Sequence, residues 1–261
     1  MEHFVEMIVL AIVQGITEFL PVSSSGHLVL SKHFLGMTQF KGVTTEIVLN
    51  TGTLLAILVF YWKRLLEIIL GLFRRDREAW IFSLLIIAGC IPAIVVGFLF
   101  KDKLERVFSN PRFVSCTLVG TGIFLIASHF AGSGKRSVSW WSGMVIGLAQ
   151  AVALLPGVSR SGSTIGMSRF LKIEPKKAAE YSFFMLIPLS VGACLLGVKD
   201  LLEGGNQSGF SASTLGIGFL VSAIVGYFSL KWLVSLLQRG RFWYFGIYCL
   251  CIGGISFFLL K

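Results

Sequence analysis

The sequence predicts an all-α, polytopic membrane protein built as an inverted repeat, each half holding one re-entrant helix pair and three transmembrane helices. Three observations lead there. Charged residues make up only 14% of the 261 positions and hydrophobic ones 55%, where soluble domains carry about 25% charged residues; the mean hydropathy is +0.82. Long apolar runs lie at 44–62, 81–100, 112–130, 181–199, 213–232 and 242–260, and a spanning helix takes about 20 such residues. A polar stretch, Gln14-Gly15-Ile16-Thr17-Glu18-Phe19-Leu20-Pro21-Val22-Ser23-Ser24-Ser25-Gly26-His27, is echoed by Gln150-Ala151-Val152-Ala153-Leu154-Leu155-Pro156-Gly157-Val158-Ser159-Arg160-Ser161-Gly162-Ser163-Thr164.

Taken in order, 4–20 and 24–35 are each short, and Pro21 with the serines breaks them apart. Such segments read as a re-entrant pair, tolerated at membrane depth only where protein or a watery cavity meets the broken backbone. The runs at 44–62, 81–100 and 112–130 then cross. Residues 143–155 and 158–171, broken at Pro156-Gly157, form the second pair, and 181–199, 213–232 and 242–260 cross again. A pair returns to its own side and three spans reach the other, so the second half starts on the opposite face, as in transporters with inverted repeats. One membrane domain, 1–261, thus divides into repeats 1–135 and 136–261. Aligning Gln14 with Gln150 sets Ser23-Ser24-Ser25-Gly26 on Ser159-Arg160-Ser161-Gly162 without a gap; the prolines miss by one residue.

Orientation follows the Lys/Arg asymmetry. One face collects Lys63, Arg64, Arg74, Arg75, Arg77, Lys135, Arg136, Arg169, Lys172, Lys176, Lys177, Lys231, Arg239 and Arg241. The other holds fewer, among them Lys32, Lys101, Lys103, Arg106 and Arg112, diluted by Asp102, Glu105, Asp200 and Glu203. The richer face is expected to be cytoplasmic, with both termini outside. The net charge of +10 then reflects basic loops and anionic headgroups. No long Lys/Arg run with interleaved aromatics argues for nucleic acid. Cys90, Cys116, Cys194, Cys249 and Cys251 lie in apolar segments without metal spacing, so they read as packing residues. The first residues lack a basic n-region and a cleavage site, so the first apolar segment is expected to be retained. The Gly204–Gly209 stretch reads as an outer turn.

Gln14 and Glu18, four apart, share one helix face. A carboxylate at membrane depth is costly and marks a functional site by default; the plainer alternative is a Glu reaching the headgroups while Gln14 bonds a neighbouring helix. Ser23, Ser24, Ser25, Gly26 and His27 stand where the second short helix begins. There serine caps, free N–H groups attract an anion, and glycine admits close approach. Beside Glu18, His27 becomes a candidate acid, base or nucleophile. Arg160 needs an anion in its apolar half-repeat. Glu18 could be that partner, a purely structural pair. Flanked by Ser159, Ser161, Gly162 and Thr164, however, Arg160 looks like a bidentate phosphate clamp. Two helix N-termini, one guanidinium and many hydroxyls suit a diphosphate better than a carboxylate. Gln14 and Glu18 supply oxygen ligands for Mg²⁺ or Ca²⁺. Glu46 and Asn50 repeat the acid–amide spacing and read as supporting residues, as does Glu180.

These residues resemble the bacterial undecaprenyl-diphosphatase family, the bacitracin-resistance type of membrane phosphatase. Gln14 and Glu18 followed by Phe19 to His27 are similar to its first signature, and Pro156 to Thr164 to its second; the resemblance covers the whole chain in length and span order. It implies hydrolysis of a C55 polyisoprenyl diphosphate to the monophosphate, on the outer side of the bacterial cytoplasmic membrane, recycling a cell-wall lipid carrier with a divalent cation. It also implies Glu18 and Gln14 as the acidic pair, His27 as its histidine, Ser24 as its nucleophilic serine, and Arg160 as its diphosphate-binding arginine. Gln14 stands where Glu is commoner, which counts against two carboxylates on the metal. Ser25 stands where Thr is common and keeps a hydroxyl.

The expected chemistry is attack by Ser24 on the terminal phosphorus, with Glu18 or His27 taking its proton and Arg160 neutralising charge. Phosphohistidine at His27 and direct attack by water stay open. The rival reading is a lipid-phosphate transporter without hydrolysis, which an inverted repeat also permits. A homodimer is compatible with either.

Overall fold

The computed structural model describes residues 4–37, 43–132, 134–204 and 210–260, without the side chains of 43, 105 and 198–204. From Gly205 on, the expected outer turn lies outside the described residues. Among those described, the elements are helices, apart from one isolated bridge between Arg136 and Ile173. They run α1 (Phe4–Thr17), α2 (Ser24–Phe34), α3 (Val43–Phe60), α4 (Trp62–Phe73), α5 (Arg77–Leu99) and α6 (Lys101–Phe108), then α7 (Pro111–Phe130), α8 (Trp140–Val152), α9 (Arg160–Phe170), α10 (Pro175–Gly204), α11 (Ala212–Gln238) and α12 (Tyr244–Leu259).

Four stretches are long and apolar enough to cross a membrane: Arg77–Leu99, Pro111–Phe130, Pro175–Gly197 and Ala212–Gln238. The protein is therefore a multi-pass membrane protein. The other two expected spans come out shorter, as Thr44–Phe60 and Tyr244–Leu259. The run read as 44–62 ends at Tyr61, where backbone torsions leave the helix, and Trp62 opens a separate one. That helix, α4, is amphipathic. Leu65, Ile68 and Leu72 share the face packed on the core, the i, i+3, i+7 spacing of a one-sided helix. α6, LysAspLysLeuGluArgValPhe in sequence, is short and strongly charged. Neither is visible in an average of hydropathy.

Local sequence sets the boundaries. Asp76 accepts from Ala79 N (3.0 Å) to start α5, and Asn110 accepts from Phe113 N (3.1 Å) with Pro111 at the first position of α7. Ser139 and Ser142 form a reciprocal box at α8, satisfying donors that a helix start leaves free.

α1 packs on α11 and α8 on α5, while α7 pairs with α12 and α3 with α10 and α11. Small residues let backbones meet: a Cβ on Gly122 would stand 2.7 Å from the Gly246 carbonyl oxygen. The main core joins the two breaks to the spans, with Phe19, Leu20 and Val22 beside Ile165, Phe183, Leu230 and Phe245. Phe19 meets Phe183 edge-on, ring centres 5.9 Å apart. The apolar half of the first polar stretch is thus an anchor that holds the polar half in place.

Candidate active site

The two short pairs, α1/α2 and α8/α9, carry the same hydrogen-bond skeleton. Ser23 Oγ accepts from Gly26 N at 3.3 Å, and Ser159 Oγ from Gly162 N at 3.0 Å. Ser23 Oγ lies 3.3 Å from Ser25 Oγ, and Ser159 Oγ 3.3 Å from Ser161 Oγ. These are N-caps, and they consume the first serine of each motif.

The breaks themselves touch. Ser161 Oγ donates to the Leu20 carbonyl at 3.1 Å, and a Cβ on Gly26 would stand 3.0 Å from Gly157 Cα. Gly157 itself sits at φ +87°, a conformation glycine adopts without steric cost. The carbonyls freed by the second break are met by α7: Thr117 Oγ1 donates to Pro156 O (2.5 Å) and Thr121 Oγ1 to Gly157 O (2.9 Å). The irregular backbone of the second break is therefore satisfied by protein.

Where the pairs meet lies a cavity of about 350 Å³. Its wall includes Gln14, Glu18, Ser23, Ser24, Ser25, Glu46, Asn50, Ser159 and Arg160, together with Phe108, Gln150 and apolar residues of α10. Ser24 Oγ donates to Glu18 Oε2 at 2.6 Å. Gln14 Nε2 donates to the same oxygen at 2.9 Å and to Asn50 Oδ1 at 2.5 Å. Arg160 stands opposite, its Nη2 3.6 Å from Glu18 Oε1 and its Nη1 donating to Ser182 O at 3.2 Å. Both charged side chains are mostly buried, 14% and 12% exposed, so their attraction is little screened by water.

Most of the other residues singled out by the sequence stand behind this wall. Thr164 Oγ1 bonds Arg160 O (2.9 Å) and Ser182 Oγ (2.6 Å), fully buried. Ser161 ties the breaks together, and Gly26 and Gly162 give their N–H groups to the capping serines. His27 is outside the cavity lining. Its Nδ1 lies 2.8 Å from the Ser23 carbonyl oxygen, so Nδ1 carries the proton; Nε2, 2.9 Å from Tyr248 Oη, then accepts. The two rings stack, 5.6 Å between centres. Glu46 pairs with Lys32 at 2.7 Å, while Glu180 pairs with Arg64 at 2.7 Å, away from the cavity.

Tyr248 and Gln150 are site neighbours that the sequence reading did not single out. Gln150 had a visible signal, since it aligns with Gln14; Tyr248 had none, being one aromatic in an apolar helix.

Among the described residues no three His, Cys, Asp or Glu side chains gather as a metal cage. Glu18, Gln14, Asn50 and Ser24 offer the oxygen donors that a hard divalent ion would take.

The pattern of the family described as "Bacitracin resistance protein BacA" matches residues 7–255. An undecaprenyl-diphosphatase of Salinibacter ruber is 35% identical over 275 residues, covering 98% of each chain. One from Christiangramia forsetii is 40% identical over 253 residues, covering 95% of each. The undecaprenyl-diphosphatase 2 of Bacillus thuringiensis is 33% identical, covering 99% of this chain and 98% of its own. With nearly its whole length matched, and its two polar stretches meeting at one cavity, the chain belongs to the bacitracin resistance protein BacA family.

Proposed function

We propose that the protein hydrolyses polyisoprenyl diphosphate, undecaprenyl diphosphate in the first place, to the lipid monophosphate and phosphate. The observation that carries this reading is one constellation: a serine hydroxyl donating to a carboxylate at 2.6 Å, with a guanidinium facing the same carboxylate across the cavity at 3.6 Å. A hydroxyl held on a buried base is an activated nucleophile. A guanidinium that is too far from its carboxylate for a fork leaves room for a phosphate group to enter and take the fork.

In the first step, the Ser24 Oγ–P bond forms as the anhydride P–O bond breaks. Glu18 takes the hydroxyl proton and passes it to solvent, and the lipid monophosphate leaves. In the second, water attacks the phosphoserine, Glu18 takes a proton from that water, and the breaking P–Oγ bond leaves Ser24 to be reprotonated. Arg160, with N–H groups at the start of α9, offsets the charge on the equatorial oxygens. His27 acts through Ser23: its Nδ1–H holds the Ser23 carbonyl and so the cap before the nucleophile. Glu18 and Gln14 would hold a Mg²⁺ or Ca²⁺ ion, with Asn50 orienting Gln14. Such an ion supplies charge neutralisation at the phosphate oxygens.

The site opens to the outer face of the cytoplasmic membrane on this reading. What supports it is Phe108 in the cavity wall, at the end of the helix bearing Lys101, Lys103 and Arg106. The richly basic ends, by contrast, gather around Arg64, Glu180, Lys177 and Ser137. The inverted repeat is supported by matched packing, α1 on α11 and α8 on α5, and by the duplicated caps.

The deciding measurement is phosphate release from C55 diphosphate by purified protein in detergent, with and without a chelator. Release by the wild type and its loss in Ser24→Ala are expected. A wild type that releases no phosphate with any divalent cation would overturn the reading.

A further inference from the structure

Among the described residues, the buried side-chain polar atoms left without a hydrogen bond are Thr45 Oγ1, His129 Nδ1, both amide atoms of Gln150, and Arg160 Nη2. Thr45 and His129 lie elsewhere. Gln150 and Arg160 both line the cavity.

Gln150 is 1% exposed, and a buried amide without partners is costly. The Cys90 thiol lies beside it, but that thiol donates to the Met185 carbonyl at 3.4 Å, and sulfur is a weak acceptor. The contrast with Gln14 is informative. Gln14, at the matching position of the first stretch, spends its amide on Glu18 and Asn50. Where the first stretch has Glu18, the second has Leu154. The second amide has therefore kept its place on the helix and lost the protein groups that could satisfy it.

Gln150 Nε2, which makes no hydrogen bond, and Arg160 Nη2, whose nearest acceptor is Glu18 Oε1 at 3.6 Å, belong to two residues of one cavity wall and call for an acceptor with several oxygens. We infer that Gln150 is a substrate-binding residue, its Nε2 donating to a phosphate oxygen of the same diphosphate that Arg160 clamps. This rests on the diphosphatase reading and adds to it a contact from the second repeat that carries no charge.

The test uses full-length purified protein and a non-hydrolysable C55 methylene-diphosphonate as probe. Gln150→Met keeps length and volume but removes both polar atoms. Because those atoms have no protein partner, the ligand-free melting temperature should hold or rise. Kd for the probe should rise about 10- to 100-fold, the worth of one hydrogen bond to a charged group, with KM rising alongside. Gln150→Glu retains an acceptor, loses the donor, and should bind no better than Gln150→Met. A lowered melting temperature in Gln150→Met would make the amide a structural group and overturn the proposal. So would a Kd within about twofold of wild type in either variant. If the wild type itself neither binds the probe nor hydrolyses the lipid, the diphosphatase reading fails first; if it does both and Gln150→Met matches it, only the assignment of Gln150 fails.

Discussion

The first and second broken pairs share a skeleton and differ in what hangs on it. Each begins its second helix with a serine that caps a glycine three residues on, and α2 and α9 are both 11 residues long. In the first, the polar side chains satisfy one another: Gln14, Glu18, Ser24 and Asn50 form one connected network. In the second, Gln150 Nε2 and Arg160 Nη2 make no hydrogen bond, and both residues belong to the cavity wall. A closed network fixes the geometry of reacting groups. Open donors wait for a ligand. On the function proposed above, the first pair serves the chemistry and the second holds the anion, and positions 24 and 160, aligned with each other, carry that division.

The sharpest way to break this comparison is to exchange effects at the aligned pair. Ser24→Ala and Glu18→Gln should each lower kcat by about 100- to 10,000-fold, with probe affinity near wild type in Ser24→Ala. Affinity lost in step with turnover would erase the distinction between the repeats. Arg160→Lys comes next: a point charge replaces the fork, and kcat/KM should fall about 100-fold. Steady-state assays near wild type would remove the clamp.

Smaller effects concern the seam. Ser161→Ala removes the bond to Leu20 O that joins the breaks and should cost about 1 kcal/mol, read as a lower denaturation midpoint in detergent. An unchanged midpoint would mean that apolar packing alone aligns the pairs. The smallest and most telling difference lies in the caps. Ser23 sits at φ +68° and Ser159 at φ −75°. A non-glycine residue in that left-handed region is strained by about 1 kcal/mol or more, whereas replacing a serine cap by glycine costs only a few tenths. Ser23→Gly should therefore stabilise slightly and Ser159→Gly destabilise slightly; equal shifts in melting temperature would show that no strain is held at Ser23.

Much of this was legible beforehand because its causes are local. The long runs around 81–100 and 213–232 are helices because their polar residues are single and scattered, and α5 continues through Pro92, whereas Pro21 and Pro156-Gly157 stand next to Ser/Gly clusters where the helices stop. The short amphipathic α4 was hidden because its apolar stripe of Leu65, Ile68 and Leu72 merges with the run before it. Glu180 looked like a second-half counterpart of Glu46, yet its distant partner Arg64 draws it elsewhere. Gln150 was passed over because an amide on an apolar helix is ordinarily matched by a neighbour, and only the packing reveals that none is there.

The chain by itself determined that it enters a bilayer, that two breaks occur, and that a carboxylate, serines and a guanidinium sit beside them, since each follows from hydropathy, backbone chemistry and spacing. Tertiary structure alone decided that residues 136 positions apart in sequence (Ser24 and Arg160) share one cavity, that His27 turns to Tyr248 while Ser24 turns to Glu18, and that Gln14 is satisfied where Gln150 is not. The physical reason is one of range. Helix formation and capping act over a few residues, but whether a buried polar atom finds a partner depends on which distant segment packs against it.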